Sequence, residues 1–471
     1  MQGKTEEIRD LILKARDKAR TEKGKTPDSM VPITVEWPVH CTVGPGLEGA
    51  IACESRVGYV NGSQGTLSYR GYDIFDLCAY SNFEEVSYLL LRDCLPTKRQ
   101  LDAFRARLVE YMNIPDTLRH LMNFDVEKMH TMAALRLGAN MMRYDQTELD
   151  KEESKPDVSK AIGLDEDSIP METIPRGEEH AIYEFKTAAP LMRNFDTCCR
   201  MIASVASMAA AIARLRKDEL PIAPDPDLSF AGNFLYMMTG KRPAPVEERI
   251  MDVCLILQAD HGINASTFAA LVVASTLSDI YSSVSAGIGA LTGPLHGGAN
   301  EQVVAMLRHI GSPDNVKDWY ERAQARKAKI MGMGHRVYKV YDPRARILGP
   351  IVGYLARRNK DTAVLYRTAK ALENEAAGTL GRKGIFPNVD FYSGMVYSAL
   401  GIPDEMFTPI FAVSRVSGWT ARILEYLKDN RIFRPRIMYS GPIGKEYVPM
   451  GRKRTGLADR SKSKTARTID G

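Results

Sequence analysis

The sequence predicts an all-α protein, and two observations lead to that class. Apolar residues recur at helical spacing along most of the chain, and period-two Val/Ile/Thr alternation is scarce. One stripe, Val246, Ile250, Val253, Cys254 and Leu257, shares a single helix face and ends near Asp260. Comparable stripes run through 83–94, 98–112, 127–143, 197–215, 315–330, 361–377 and 405–428. The best strand candidates lie between Ala50 and Tyr69, where Ser-Arg-Val-Gly-Tyr-Val, Asn61-Gly62 and Thr-Leu-Ser-Tyr read as a small hairpin. Residues 1–25, with Ile8, Leu11, Ile12 and Leu13 among charges, predict one exposed helix.

With 471 residues the chain is long enough for two or three domains. Its 44% apolar and 26% charged residues are ordinary for a soluble globular protein. A net charge of +5 makes no general case for nucleic acid as a partner. Seven cysteines without a Cys-x-x-Cys pair argue against a disulfide framework or zinc ribbon and favour a reducing, cytoplasmic setting. The first residues, Met1-Gln-Gly-Lys-Thr-Glu-Glu-Ile, show no export or import signal. The most apolar stretch, 265–291, carries too many Ser, Thr and Asp residues for a lipid-spanning helix.

Two segments differ in composition from the rest. Residues 145–179 hold twelve Asp or Glu against four Lys or Arg, the pattern of a mobile acidic surface insertion. From Arg452 onward seven Lys or Arg face two Asp, which predicts a disordered basic tail.

Chemistry concentrates in the second half. Four segments occur in order: Gly293-Pro-Leu-His296-Gly-Gly-Ala-Asn300, Gly332-Met-Gly-His335-Arg-Val-Tyr-Lys339, Asp342-Pro-Arg344 and Pro387-Asn-Val-Asp390-Phe-Tyr. His261 closes the helical run before them at Asp260-His-Gly-Ile-Asn264. A histidine in a Gly-flanked turn can serve as a hydrogen-bonded turn residue or face a ligand. His296 precedes a helix whose partial positive end would keep the imidazole neutral, the form that donates to a carbonyl oxygen gaining charge. The glycines around His335 lack a preceding strand and a third Gly, so a dinucleotide loop is rejected. Arg336, Lys339, Arg344 and Arg346 lie within eleven residues; they form either a solvated face or forks for carboxylates. Asp390 begins an apolar aromatic run as either a helix cap or a base strengthened by apolar surroundings. Arg415 and Arg434 add candidate clamps.

Together, these segments, with Tyr69-Arg-Gly-Tyr-Asp-Ile74 and Phe83-Glu-Glu-Val, resemble the citrate synthase family from about Gly46 to about Pro442. The resemblance implies a helical large domain (46–297 and 397–450, with the insertion at 145–179) and a smaller helical domain (298–396) that closes over the substrates. Residues 1–45 would be an amino-terminal extension and 451–471 the basic tail. The implied reaction condenses acetyl-CoA with oxaloacetate through an enol, then hydrolyses citryl-CoA to citrate and CoA. Asp390 matches the methyl-proton base, His296 the enol-oxygen donor, and His335 the group that polarises the oxaloacetate carbonyl. His261, Arg344, Arg415 and Arg434 match oxaloacetate ligands, with Arg434 reaching in from the second subunit of a homodimer. Lys339 and Arg336 stand at the CoA contacts. No metal or other cofactor is implied, and neither a membrane nor nucleic acid is an expected partner. The alternative on the same scaffold is 2-methylcitrate synthase, acting on propionyl-CoA. From a different class, a metal site of His261, His296, His335 and Asp390 is conceivable by residue type. One departure stands out: Trp419-Thr-Ala-Arg422 places arginine where many members carry histidine, and the expected consequence is confined to the dimer surface.

Overall fold

The computed structural model describes residues 2–22, 38–143, 194–443 and 447. The acidic insertion at 145–179 and the basic tail from Arg452 lie outside the described residues. The described residues up to Ile432 form one compact unit, and a second begins at Phe433.

Helices dominate, as the periodicity predicts. The first half contains α1 (Gln2–Glu22), α2 (Ile74–Tyr80), α3 (Phe83–Arg92), α4 (Lys98–Met112), α5 (Pro115–Leu121), α6 (Thr131–Met141) and α7 (Phe195–Leu215). Then come α8 (Phe230–Thr239), α9 (Pro245–Gln258), α10 (Ala265–Ser275), α11 (Ile280–Leu291) and α12 (Ala299–Ile310). The last are α13 (Val316–Ala325), α14 (Pro343–Ala356), α15 (Lys360–Ala377), α16 (Asp390–Ala399) and α17 (Phe407–Tyr426). Side-chain caps start many of them; Asn82, Asn194, Ser229, Asn264 and Asp279 each accept a backbone N–H from the first turn.

The predicted hairpin is present as β1 (Gly58–Asn61) and β2 (Thr66–Tyr69), paired antiparallel from Gly58↔Tyr69 to Asn61↔Thr66, with β3 (Tyr72–Asp73) on the other edge of β2. Asn61 builds the turn by accepting the N–H groups of Ser63 and Gln64 through its Oδ1. This turn supports a site loop, because Gly62 accepts the Lys339 N–H at 2.9 Å.

Helices α7 and α17 pack against one another at the centre of the core. Helix α7 is long and apolar enough to cross a membrane by length and composition, yet most of it is buried among other helices. Along α17 every residue from Phe407 to Ile423 is buried, including Arg415 and Arg422.

One expectation needs correction at the amino terminus. Helix α1 forms as predicted but is not an exposed helix: Ile8, Ile12, Ala15 and Ala19 make a buried stripe against α14, α2 and α9. Its charged flanks are anchored too, Arg16 to Asp76 at 2.8 Å, Glu7 to Arg357 at 2.6 Å and Glu22 to Arg346. A four-position stripe among many charges is read as solvated unless the surfaces that cover it are known.

Candidate active site

The site is assembled from helix ends and two loops tied together. The loop of His335 and the loop before Asp390 are joined by Gly334 N–H to Phe386 O at 2.8 Å and Asn388 N–H to Gly332 O at 2.9 Å. The Asn388 amide adds a 2.8 Å bond to Gly334 O, and its Oδ1 accepts the Asp390 N–H at 3.0 Å. Gly332 has φ of +75°, and a Cβ there would fall 2.9 Å from the Phe391 Cα, so only glycine permits this approach.

Asp390 is the first residue of α16, but it is not a cap. The capping bond belongs to Asn388, and the Asp390 Oδ1 is buried without a hydrogen-bond partner among the described residues. Burial pushes its pKa up to about 6, Arg344 and Arg415 pull against that rise, and Asp342 adds to it. The cap alternative is thereby removed, leaving a desolvated carboxylate with a free oxygen.

Each histidine is neutral for a traceable reason. His335 Nδ1 accepts the N–H groups of Val337 and Tyr338 at 3.0 and 3.2 Å, so the ring proton sits on Nε2. Burial, then Arg344, pushes its pKa down to about 4. His261 is buried, its Nε2 lies 3.2 Å from the Tyr338 hydroxyl, and its ring centroid is 5.1 Å from that of His335. Burial and the Arg344 charge hold it well below the usual imidazole range.

His296 differs from expectation in an instructive way. It does precede α12, but its Nε2 accepts the Ser266 N–H at 3.2 Å, at the amino terminus of α10, and lies 2.8 Å from the Ser266 hydroxyl. The helix end that faces its nitrogen therefore belongs to α10, and the neutral ring carries its proton on Nδ1. Burial, then Arg415, pushes its pKa down to about 4. Gly297 is required behind it, since a Cβ would lie 2.3 Å from Leu291 O.

The guanidinium groups divide into paired and unpaired. Arg344 is buried and forked onto Asp342, Nε to Oδ1 at 3.1 Å and Nη2 to Oδ2 at 2.8 Å. Asp342 also caps α14 by accepting the Arg344 N–H. Arg415 is only 1% exposed, donates from Nε to Gln258 O at 2.5 Å, and has no carboxylate within ion-pair distance among the described residues. Desolvation lowers its pKa to about 10. A charge so buried is costly unless an anion joins it.

The Arg422 expectation is overturned. Its side chain is 3% exposed and forks onto Asp260, Nε to Oδ1 and Nη2 to Oδ2 at 2.7 Å each, directly beside His261. Arg336 and Lys339 are exposed beside His335, with Lys339 Nζ 3.3 Å from Arg336 O. Arg434 is exposed within the unit that begins at Phe433. A cavity of about 870 Å³, lined in part by Lys18, Met333, Arg346, Glu373 and Pro387, borders the linked loops and contains none of His261, His296, His335, Arg344, Asp390 and Arg415.

Residues 46–436 match the family described as "Citrate synthase, C-terminal domain". The chain belongs to the citrate synthase family. It is 40% identical over 406 residues to the citrate synthase of Deinococcus radiodurans, covering 86% of this chain and 98% of the relative. It is 39% identical to citrate synthase 2 of Bacillus subtilis, over 87% of this chain and 99% of that one. Among solved structures it resembles the Pyrobaculum aerophilum citrate synthase, with TM-score 0.73, 38% identity, and coverage of 89% and 98%. It is also similar to the Thermoplasma acidophilum citrate synthase in ternary complex with carboxymethyl coenzyme A and oxaloacetate, with TM-score 0.73, 31% identity, and coverage of 87% and 99%.

Against that family background, the roles the motifs did not reveal are the supporting ones. Tyr338 meets His261, Ser266 orients His296, Asn388 ties the loops, and Asp342 and Asp260 hold arginines. Asp342 and Asn388 sit two residues from Arg344 and Asp390, which is a usable signal. Ser266 and Arg422 lie far in sequence from what they orient. A metal site gains no support, since no group of three or more His, Cys, Asp or Glu is arranged to hold an ion among the described residues.

Proposed function

We propose that His296, His335 and Asp390 carry out the citrate synthase reaction, in which this acyltransferase condenses acetyl-CoA with oxaloacetate and hydrolyses citryl-CoA to citrate and CoA. The observation that carries the assignment is a buried Asp390 oxygen with no hydrogen-bond partner among the described residues, on a loop tied to that of the neutral His335, together with a buried Arg415 that has no ion-pair partner among the described residues.

Asp390 removes a proton from the acetyl methyl group. A carbon acid is many units weaker than a carboxylic acid, and each unit costs about 1.36 kcal/mol, so the base cannot act alone. His296 donates from Nδ1 to the thioester oxygen as it becomes an enol oxygen, and its neutrality matches its strength to a weakly acidic enol. The enol carbon attacks the keto carbon of oxaloacetate, whose oxygen receives the His335 Nε2 proton. Arg415, the free edge of Arg344, and His261 hold the two carboxylates. Arg336 and Lys339 face the CoA phosphates. Water then cleaves the thioester. The steps draw on side chains and take no cofactor.

Closure of residues 298–396 over the rest would exclude water until condensation is complete. We also infer a cytoplasmic homodimer, in which Arg434 completes the partner's oxaloacetate site; the cysteines among the described residues are free, as a reducing compartment requires. Mixing an Arg434→Ala protein with an Asp390→Asn protein is expected to restore activity, because one site of the heterodimer then has both groups intact. Absence of recovery after verified subunit exchange would place Arg434 outside the partner's site.

The functional test is CoA release with acetyl-CoA and propionyl-CoA at one oxaloacetate concentration. Acetyl-CoA is expected to give the higher kcat/KM, although one methylene is worth only about 1–3 kcal/mol in such a pocket. A higher value for propionyl-CoA would move the chain to the methylcitrate branch.

The pH profile has a defined sign. Asp390 works as its anion, so kcat/KM is expected to fall as pH drops through about 6 and a proton occupies it. His296 and His335, pushed down to about 4, stay neutral across that window. A profile that stayed flat well below this point would remove Asp390 as the base.

A further inference from the structure

The structure assigns Arg422 a positioning role: by forking onto Asp260 it keeps that carboxylate from neutralising Arg415, leaving the Arg415 guanidinium open to a carboxylate of the substrate. This rests on the reading of Arg415 as an oxaloacetate ligand and extends it to a residue that does not touch substrate.

The geometry is specific. Arg415 and Arg422 are seven residues apart on α17 and so project from nearly the same face. Between them lies Gly418, where a Cβ would stand 2.2 Å from Ala259 O and 3.1 Å from the Asp260 Cα. The Gln258–Asp260 turn therefore rests directly on α17 between the two arginines. Arg415 takes the Gln258 carbonyl, whereas Arg422 takes both Asp260 oxygens. Two further donors of Arg422 are used on the other side, Nη1 to the Ser55 hydroxyl at 2.9 Å and Nη2 to Gly58 O at 3.3 Å. Tyr69 secures the same turn by donating its hydroxyl to Asp260 O at 3.0 Å.

Charge counting explains the consequence. Asp260, Arg415 and Arg422 are all buried, one anion against two cations; Asp390, whose pKa Arg415 lowers, makes no ion pair with it among the described residues, so the group has room for one more negative charge. Of the buried arginines among the described residues, Arg344 has Asp342 and Arg422 has Asp260; Arg415 alone lacks a carboxylate. Without Arg422, Asp260 would be a buried carboxylate whose nearest uncommitted cation is on the same helix face, and the pair would close with no demand for a ligand. The mutual influence is already visible, since Asp260 pulls the Arg415 pKa up while Arg344 and Arg422 push it down.

The experiment measures oxaloacetate dissociation constants, together with KM and kcat, for Arg422→Gln, Arg422→Lys, Asp260→Asn, the Asp260→Asn/Arg422→Gln double variant and Arg415→Gln, with thermal unfolding of each. Arg422→Gln is expected to weaken oxaloacetate binding roughly tenfold or more, with a smaller change in kcat at saturation, and Arg422→Lys to weaken it less. The double variant, with no carboxylate left to capture Arg415, is expected to recover most of the affinity. Asp260→Asn alone, which remains informative if Arg422→Gln does not fold, is expected to bind at least as tightly as the unaltered protein. A double variant no better than Arg422→Gln, or a weakened Asp260→Asn, would show that Arg422 only supports the fold and would overturn the inference. An Arg415→Gln protein with unchanged oxaloacetate affinity would instead remove the ligand role of Arg415, a separate failure.

Discussion

Asp390→Asn is expected to reduce kcat by about 10²- to 10⁴-fold, the range in which a positioned proton acceptor contributes. Asparagine preserves the volume and the start of α16, because the bond that begins this helix comes from Asn388 and leaves the Asp390 side chain uninvolved. The change therefore removes basicity with little else. Oxaloacetate affinity should be retained or slightly improved, since the lost negative charge opposed the binding of a dianion beside Arg344 and Arg415. The KM for acetyl-CoA should move little, as the interaction is made only while the proton transfers. Calorimetry with oxaloacetate and steady-state kinetics on one preparation check both halves. Near-normal turnover, or a loss confined to oxaloacetate binding, would take the base assignment away from Asp390.

His296→Gln is expected to cost about 10²- to 10³-fold in kcat, comparable with removing one preorganised donor from a developing oxyanion. The reason lies in how the ring is held. Ser266 fixes Nε2 as an acceptor at the head of α10, which leaves Nδ1–H as the only donor, while burial and then Arg415 keep the ring uncharged. Glutamine can offer an amide donor, but nothing fixes it there in the same orientation. Exchange of acetyl-CoA methyl protons with solvent, in the presence of a non-reacting oxaloacetate analogue, should slow in both variants. Retained exchange in His296→Gln, with turnover lost, would place His296 after enolisation and contradict its role here.

Much of the site was legible in the sequence because its motifs are local. His296, His335 and Asp390 each sit in a short segment whose glycines, prolines and asparagine dictate backbone shape, and the structure keeps those shapes: Gly332 for close approach, Gly297 against Leu291, Asn388 as the turn residue. Arg422 was misread as a surface residue for the opposite reason. Its partner Asp260 is 162 positions away, and nothing within one turn of α17 distinguishes an arginine that finds a buried carboxylate from one that reaches water. The same limit applied to α1, whose stripe is plain but whose covering surface comes from α14, α2 and α9.

By itself the sequence determined the helical class and the hairpin, since periodicity and turn chemistry are properties of neighbouring residues, and its ordered motifs carried the resemblance to the family. Only the tertiary structure decided protonation and pairing: which nitrogen of His296 and His335 bears hydrogen, that Asp390 is desolvated and is not the helix cap, and that among the described residues Arg415 is left without the counter-ion Arg344 and Arg422 possess. Those outcomes depend on burial and on contacts between distant segments, and electrostatic energies are set by distance and solvent exclusion in the folded chain.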